Sequence, residues 1–362
     1  MAQLLKPEIL TIEGNASCQL RCPTCPTTST GYPPVVGNGY LKFEDFKNLL
    51  SANRHIKEVN LESRGELFLN PDVLPIIECG FRKNVSMTNT SGVNLNNVHD
   101  EVLEGLVRYR FKHLLCSIDG ASQEIYRMYR VGGDFDRVID NINIINQFKK
   151  VYHADYPKLS WQFIVFGHNE HELPLAKKMA EDLNMSFIPK MSWDSDYSPI
   201  RNKDFVMTET GWPAVTREEF MKVTGRNYMR SVCYALWKSP RVNWDGKIMG
   251  CCWNSWGEFG GNAFKEGYIP SINSEKLNYA REMLLGKVKS VDDIPCTTCI
   301  LYIQMKEAND FITVKEIFPA KPLPQRVQKF FSVYPPLYRC SRFIYRTSGL
   351  KRLFNGNKKI EL

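Results

Sequence analysis

The chain has 362 residues, 43% of them hydrophobic, and a formal charge of +8. That is enough apolar material for a sizeable core, most simply one large domain plus a small one. No opening stretch joins a basic head, an apolar run and a small-residue cleavage site, and no apolar run approaches the roughly 18–20 residues of a membrane span, so secretion and a spanning helix are both disfavoured and a cytoplasmic protein is expected.

In chain order, EILTIE (8–13) reads as a short strand, LKFEDFKNLLSANR (41–54) has helical spacing, and KEVNLES (57–63) alternates as a strand does. PDVLPIIECGFRKN (71–84) is a helix with Pro near its start, NVSMTN (84–89) a strand, EVLEGLVRYR (101–110) a helix and KHLLCSID (112–119) a strand. FDRVIDNINIINQFKK (135–150) has apolar residues at helical spacing. Strand LSWQFIVF (159–166), helix EHELPLAKKMAEDLN (170–184) and strand MSFIPKM (185–191) follow. Strands alternating with helices imply a parallel sheet of about six βα units, an α/β fold of the partial (βα)6, TIM-like kind rather than a closed eight-unit barrel. Beyond residue 195 the rhythm stops. Residues 195–230 are mixed and polar, and 231–300 contain short strand-like pieces and one helix, SEKLNYAREMLLGK (274–287). The expected domains are 1–200, the barrel; 201–310, a small cysteine-rich domain; and 311–362, a basic aromatic extension.

Eleven cysteines need a reason. In a reducing compartment that reason is metal or catalysis rather than a disulfide framework. Cys18, Cys22 and Cys25 lie in CQLRCPTC with C-x3-C-x2-C spacing, and Cys233, Cys251, Cys252, Cys296 and Cys299 form a second group. Cys79, Cys116 and Cys340 are scattered. The first group follows the first strand at its C-terminal end, where βα folds place their active sites. Three thiolates on one loop can hold three irons of a [4Fe–4S] cube and leave the fourth iron to a small molecule. The competing reading is zinc, but structural zinc normally takes four ligands, and no His lies nearby.

This spacing on this loop resembles the radical S-adenosylmethionine (SAM) superfamily, and the resemblance covers residues 8–300. RGEL (64–67) looks like the family's Gly-Gly-Glu segment with Arg64 in place of the first Gly, which implies that Glu66 holds the SAM amino group. MTNTSG (87–92), with Asn89, looks like the Thr-Asn-Gly segment. CSIDG (116–120) is similar to Ser-x-Asp-Gly and puts Ser117 and Asp119 near SAM or substrate. YRVGGDFDRVIDNI (129–142) offers Arg130 for the SAM carboxylate. One departure is Thr24, where many members have an aromatic residue against the adenine. Each short motif alone is an ordinary loop or turn; their order at successive strand ends is what carries the resemblance. The implied chemistry is reductive cleavage of SAM to a 5′-deoxyadenosyl radical, which abstracts hydrogen from substrate.

The second group looks like a twitch domain, the shortened form of the SPASM domain: a lone Cys233, an Asp245-Gly246 hairpin leading into a cysteine, a helix, then CTTC (296–299). The resemblance implies one auxiliary [4Fe–4S] cluster on Cys233, Cys251, Cys296 and Cys299. The zinc alternative would make the protein a metal-stabilised binding module. Cys252 would be either a packed small hydrophobe, a hydrogen-atom donor or an alternative ligand.

The chain starts almost directly at the first strand, which tilts the expected substrate toward a small polar or carrier-linked molecule, sugar- or cyclitol-like. Relatives with one auxiliary cluster include a dehydrogenase of an amino-cyclitol alcohol, so oxidation with the auxiliary cluster as electron acceptor is the leading reading. A redox-neutral epimerase using Cys252 or Cys116, and a peptide-modifying maturase, are the alternatives. A flavodoxin- or ferredoxin-type reductant is implied. Glu62, Arg64, Gln162, His168, Trp193 and Asp194, at or near strand ends, are candidate bases or substrate ligands. From residue 317 onward ten Lys/Arg face one acid, a charge of +9 that leaves −1 for residues 1–316. Cations interleaved with Phe and Tyr fit peripheral contact with an anionic membrane surface, with nucleic acid the less favoured partner. The plainest alternative is a solvated extension.

Overall fold

The computed structural model describes residues 4–319 apart from 30 and 32. The chain divides into two compact units, 1–312 and 313–362. In the second, the described residues form one short helix, Val314–Ile317, closed by a capping box between Thr313 and Glu316. The basic tail read from the sequence falls mostly on 320–362, outside the described residues.

In the first unit, strands β1 (Ile9–Glu13), β2 (Glu58–Glu62), β3 (Ser86–Val93), β4 (His113–Ser117), β5 (Lys158–Val165) and β6 (Met185–Met191) pair in sequential order, each parallel to the next. Each crossover carries helix: Phe43–Ala52, Val73–Arg82, Asp100–Arg108, Phe135–Val151 and Leu173–Asp182 among them. Strands added in one direction by right-handed crossovers place their helices on one face of the sheet and leave the other free. Two further strands extend the β1 edge: β7 (Arg241–Val242), parallel to β1, and β8 (Ile248–Gly250), antiparallel to β7. The sheet order is therefore β6-β5-β4-β3-β2-β1-β7-β8.

The two faces differ because side chains alternate along a strand. Leu10 and Ile12 of β1, Val59 and Leu61 of β2, Leu114 and Cys116 of β4, and Trp161 and Phe163 of β5 are all buried. Trp161 meets Phe135 of the helix Phe135–Val151 with ring centres 6.4 Å apart, which marks this as the helix side. The alternate residues join in a polar chain across the other face. Asn60 donates to Glu62 and Thr90 at 3.0 and 2.8 Å; His113 meets Ser160 at 2.8 Å, and Ser160 meets Ser186 at 2.6 Å. Gln162 donates to Ser117 and accepts from Lys190, both at 3.2 Å. A sheet face this polar is a site rather than a core.

Residues 195–230, read from sequence as mixed and polar with no element assigned, contain the helices Lys203–Thr210 and Arg217–Thr224. The second buries none of its residues, so it leaves no apolar period to read. Its signals are at its ends: Thr216 caps the Glu219 N–H, and Gly225 terminates it at φ 67°. The Asp245-Gly246 hairpin forms as expected, with Gly246 at φ 92° and Asn243 N–H bonded to the Lys247 carbonyl at 2.8 Å.

Candidate active site

The loop after β1 is laid against the RGEL segment after β2. Glu66 N–H donates to the Ser17 carbonyl at 2.7 Å and Gly65 N–H to Asn15 at 3.2 Å. A Cβ on Gly65 would stand 2.0 Å from the Ser17 carbonyl oxygen, so this approach needs glycine. Cys18, Cys22 and Cys25 then gather around Leu20, Tyr129, Ile164 and Phe166. Arg130 Nη1 lies 3.7 Å from the Cys22 sulfur and Asn94 Nδ2 3.8 Å from that of Cys18. Burial pushes the Cys18 thiol up to about 12 and raises Cys22 despite Arg130 beside it. Such thiols ionise when a cationic group binds them.

Glu66 is buried, its carboxylate accepting from Asn94 N–H at 2.7 Å and Phe68 N–H at 3.2 Å. Burial lifts its pKa to about 7. Asp119 is buried and holds Arg130 Nε at 2.6 Å while accepting the Ile164 N–H at 2.6 Å. Burial works against the Arg130 charge, but Asp119 together with Cys22, Tyr129 and Tyr126 outweighs it and keeps the guanidinium charged. Ser117 lies under Gly92, whose Cβ would come within 2.1 Å of its hydroxyl. Asn89 is fully buried and engaged by backbone: its amide donates to the Leu61 carbonyl at 2.7 Å and accepts the Gly92 N–H at 3.0 Å across an irregularity in β3. Beside Thr24, whose hydroxyl meets Tyr129 at 2.9 Å, Trp193 donates its indole N–H to the Thr24 carbonyl at 3.3 Å.

The paired cysteines separate. Cys251 joins Cys233, Cys296 and Cys299 in one pocket walled by Leu236, Trp256, Phe259, Leu284 and Pro295. Burial raises all four thiols, Cys251 to about 12. Cys252 instead opens on a cavity of about 340 Å³ on the polar face, lined by Thr11, Asn60, Glu62, Thr90 and Arg241 among others. Its carbonyl accepts from Arg64 Nη2 at 3.0 Å and Arg241 Nη1 at 3.4 Å, and Arg64 also reaches the Asn254 carbonyl at 2.6 Å. Arg241 pairs with Glu13 and, at 3.3 Å, with Glu62, while Glu13 accepts the Arg64 N–H at 2.6 Å. Among the described residues no three His, Cys, Asp or Glu side chains converge on one metal-ion point, so the fit of a cluster rests on how the two pockets are lined. Three thiols with cationic and amide donors suit a cluster with one open position. Four thiols in apolar walls suit one closed by protein.

Of the other candidates, His168 is tied to Ser198 at 2.9 Å and stacked on Phe166, and burial depresses it to about 4, so it is neutral. Asp194 caps the N–H groups of Asp196 and Tyr197. Cys116 is buried on the helix side. Glu13, Arg241, Lys190 and Arg217 escaped the sequence reading. Their signal was an ionisable residue at the end of a strand or helix, a common pattern that names no partner.

No family model and no curated protein matches the chain. Solved structures do. SuiB of Streptococcus suis, bound to S-adenosylmethionine, is 14% identical over 82% of this chain and 71% of its own, with a TM-score of 0.58. SuiB bound to precursor peptide SuiA gives 13%, 83%, 71% and 0.58. The protein anSMEcpe with bound AdoMet and Cp18Cys peptide is 15% identical over 93% of this chain and all of its own, with a TM-score of 0.54. These likenesses establish a shared architecture: the chain has the fold of SuiB and anSMEcpe, a mostly parallel α/β sheet of the TIM-like kind.

Proposed function

We propose that this protein is a radical SAM enzyme in which Cys18, Cys22 and Cys25 hold a [4Fe–4S] cluster and Glu66 and Arg130 bind the amino and carboxylate groups of SAM. The observation that carries the reading is that Cys18, Cys22 and Cys25 pack on one buried cluster, within electrostatic reach of Glu66 and of the Asp119–Arg130 pair, at the C-terminal ends of β1, β2 and β4. When bound, the reduced cluster and SAM supply a 5′-deoxyadenosyl radical that takes a hydrogen atom from substrate. The chain's own part is to hold and shield. Asp119 fixes Arg130, and Arg130 and Asn94 direct hydrogen-bond donors at the thiolates. Asn89 supports the backbone between Leu61 and Gly92, and Ser117 faces the same polar surface.

We assign Cys233, Cys251, Cys296 and Cys299 to an auxiliary [4Fe–4S] cluster in a twitch-like segment, within 201–310. Four protein ligands leave no iron for substrate, which suits an electron acceptor, so the leading reaction is oxidation of a small polar or carrier-linked, sugar- or cyclitol-like substrate, with a flavodoxin- or ferredoxin-type reductant. One observation favours a second reading: Cys252 opens on the polar cavity, where its thiol can return a hydrogen atom in a redox-neutral epimerisation. SuiB and anSMEcpe bind peptides, which keeps a peptide substrate in view. The +9 charge from residue 317 onward supports peripheral contact of a cytoplasmic enzyme with an anionic membrane.

Anaerobic reconstitution tests the class. Two cubes give about eight irons per chain and a brown protein. With a reductant, SAM should yield 5′-deoxyadenosine. A colourless protein holding zinc, or an iron protein that leaves SAM intact, would overturn the proposal.

A further inference from the structure

Among the described residues, Lys190 and Arg217 are two cations that form no ion pair with an acid. Lys190 stands near the C-terminal end of β6, and its Nζ donates to the neutral Gln162 at 3.2 Å. Arg217 opens the helix Arg217–Thr224, and its Nη2 donates to the carbonyl of Met191, the residue after Lys190, at 3.1 Å. The guanidinium lies 5.1 Å from the centre of the Tyr228 ring, and its Nε is buried with no hydrogen-bond partner. The contrast with the neighbouring cations is plain. Arg130 has Asp119, and Arg241 has Glu13 and Glu62. Lys190 and Arg217 form no ion pair among the described residues.

Burial lowers the pKa of both groups, and the Arg217 charge lowers Lys190 further. Two desolvated like charges near one another are unfavourable; Cys252 and Asp119 attract Lys190 only through space, and among the described residues no carboxylate forms an ion pair with either cation. Lys190 is also within electrostatic reach of Cys252, which opens on the polar cavity.

We infer that Lys190 and Arg217 form an anion subsite on the polar face, and that the substrate carries a phosphate or carboxylate group held there. The pairing suits such a group: a compact ammonium supplies a point charge, and a planar guanidinium supplies directed donors. The inference deepens the proposed function, because it rests on reading the polar face as the substrate site.

The test uses the full chain, anaerobically reconstituted and saturated with SAM, so that SAM's own carboxylate is already accounted for. Inorganic phosphate, succinate and, at matched ionic strength, sodium chloride are titrated while the thermal midpoint is followed. A saturable rise with phosphate or with succinate, absent with chloride, is expected, and the responding anion identifies the group. Lys190→Met and Arg217→Met should each weaken the response at least tenfold, and Lys190→Arg should retain it. Without added anion, Lys190→Met should melt no lower than wild type, since it removes a desolvated charge that forms no ion pair among the described residues; this separates loss of binding from loss of fold. Equal responses in wild type and both Met variants, or an equal response to chloride, would overturn the inference. So would a loss of SAM affinity in the variants, which would make these cations part of the SAM site. The 5′-deoxyadenosine assay on the same wild-type sample reports the enzyme class separately, so failure of one reading is distinguishable from failure of the other.

Discussion

Arg64 Nη2 donates to the Cys252 carbonyl at 3.0 Å, joining the loop after β2 to a cysteine 188 positions later. The same side chain reaches the Asn254 carbonyl at 2.6 Å. Arg64 stands where the resembling motif has glycine, and glycine has no side chain to make this bridge. The segment that carries Glu66 is thus tied to the loop that carries both paired cysteines.

Arg64→Ala should therefore loosen the Cys252 loop without unfolding the barrel. A hydrogen bond from a charged donor contributes about 1.5–3 kcal/mol, and partial solvent access places the loss at the low end. Maleimide labelling of Cys252 in the apoprotein should quicken severalfold, and the denaturant midpoint should fall modestly. An unchanged labelling rate would show that the bridge does not hold the loop.

The Glu13–Arg241 pair is nearly inaccessible to solvent. Removing one partner leaves a buried charge uncompensated, so Arg241→Met is expected to cost about 3–5 kcal/mol. Glu13→Gln combined with Arg241→Met should cost clearly less than the two single changes added together. Urea melts of the four proteins in a double-mutant cycle measure the coupling. Strict additivity would mean that the pair does not act as a unit.

Glu66 gives a pH dependence. Its pKa is lifted by burial from 4.5 to about 7. The folded state therefore binds more protons than the unfolded state between those values. This contribution to stability falls as pH rises through that window, by about 1.4 kcal/mol per unit at most. SAM binding should run the other way, because only the ionised carboxylate attracts an ammonium group. Below pH 7 the SAM dissociation constant should weaken up to about tenfold per unit. Glu66→Gln should bind weakly at every pH, and calorimetry from pH 5.5 to 8 checks both statements. A flat wild-type profile would remove Glu66 from the SAM site.

The six parallel strands were legible because short strand-like stretches, of which β2 alternates apolar with polar residues, are separated by helices with apolar residues at helical spacing. The cysteine groups were legible from spacing. Their surroundings were not. Glu13 reads as the last residue of a short strand, and nothing local says that Arg241, 228 positions on, meets it. Lys190 reads as one polar residue in MSFIPKM, and its lack of an acid partner exists only after β5 and β6 pair. The helix Arg217–Thr224 was missed because none of its residues is fully buried and it has no apolar stripe to read. Sequence carries periodicity and local turn chemistry well. It carries the partners of isolated charges poorly, since these depend on which strand ends the sheet brings together.

Cys251 and Cys252 are adjacent in the chain and line different pockets, which predicts different consequences for the same substitution. Cys251→Ala should cost the auxiliary site its iron, lowering the total from about eight to about four per chain, while leaving SAM cleavage by the first cluster in place. Cys252→Ala should keep all the iron, because its thiol lies outside the four-cysteine pocket. What Cys252→Ala does to turnover then decides between the two reactions. If the enzyme oxidises its substrate, the variant should still consume SAM and transfer electrons to the auxiliary cluster, seen as a reduced-cluster EPR signal. If the thiol returns a hydrogen atom, the variant should accumulate 5′-deoxyadenosine while losing exchange of solvent deuterium into product. Iron content by colorimetry, EPR and deuterium incorporation separate these outcomes. Equal iron loss in both variants would place both cysteines at the auxiliary site and contradict the division seen here.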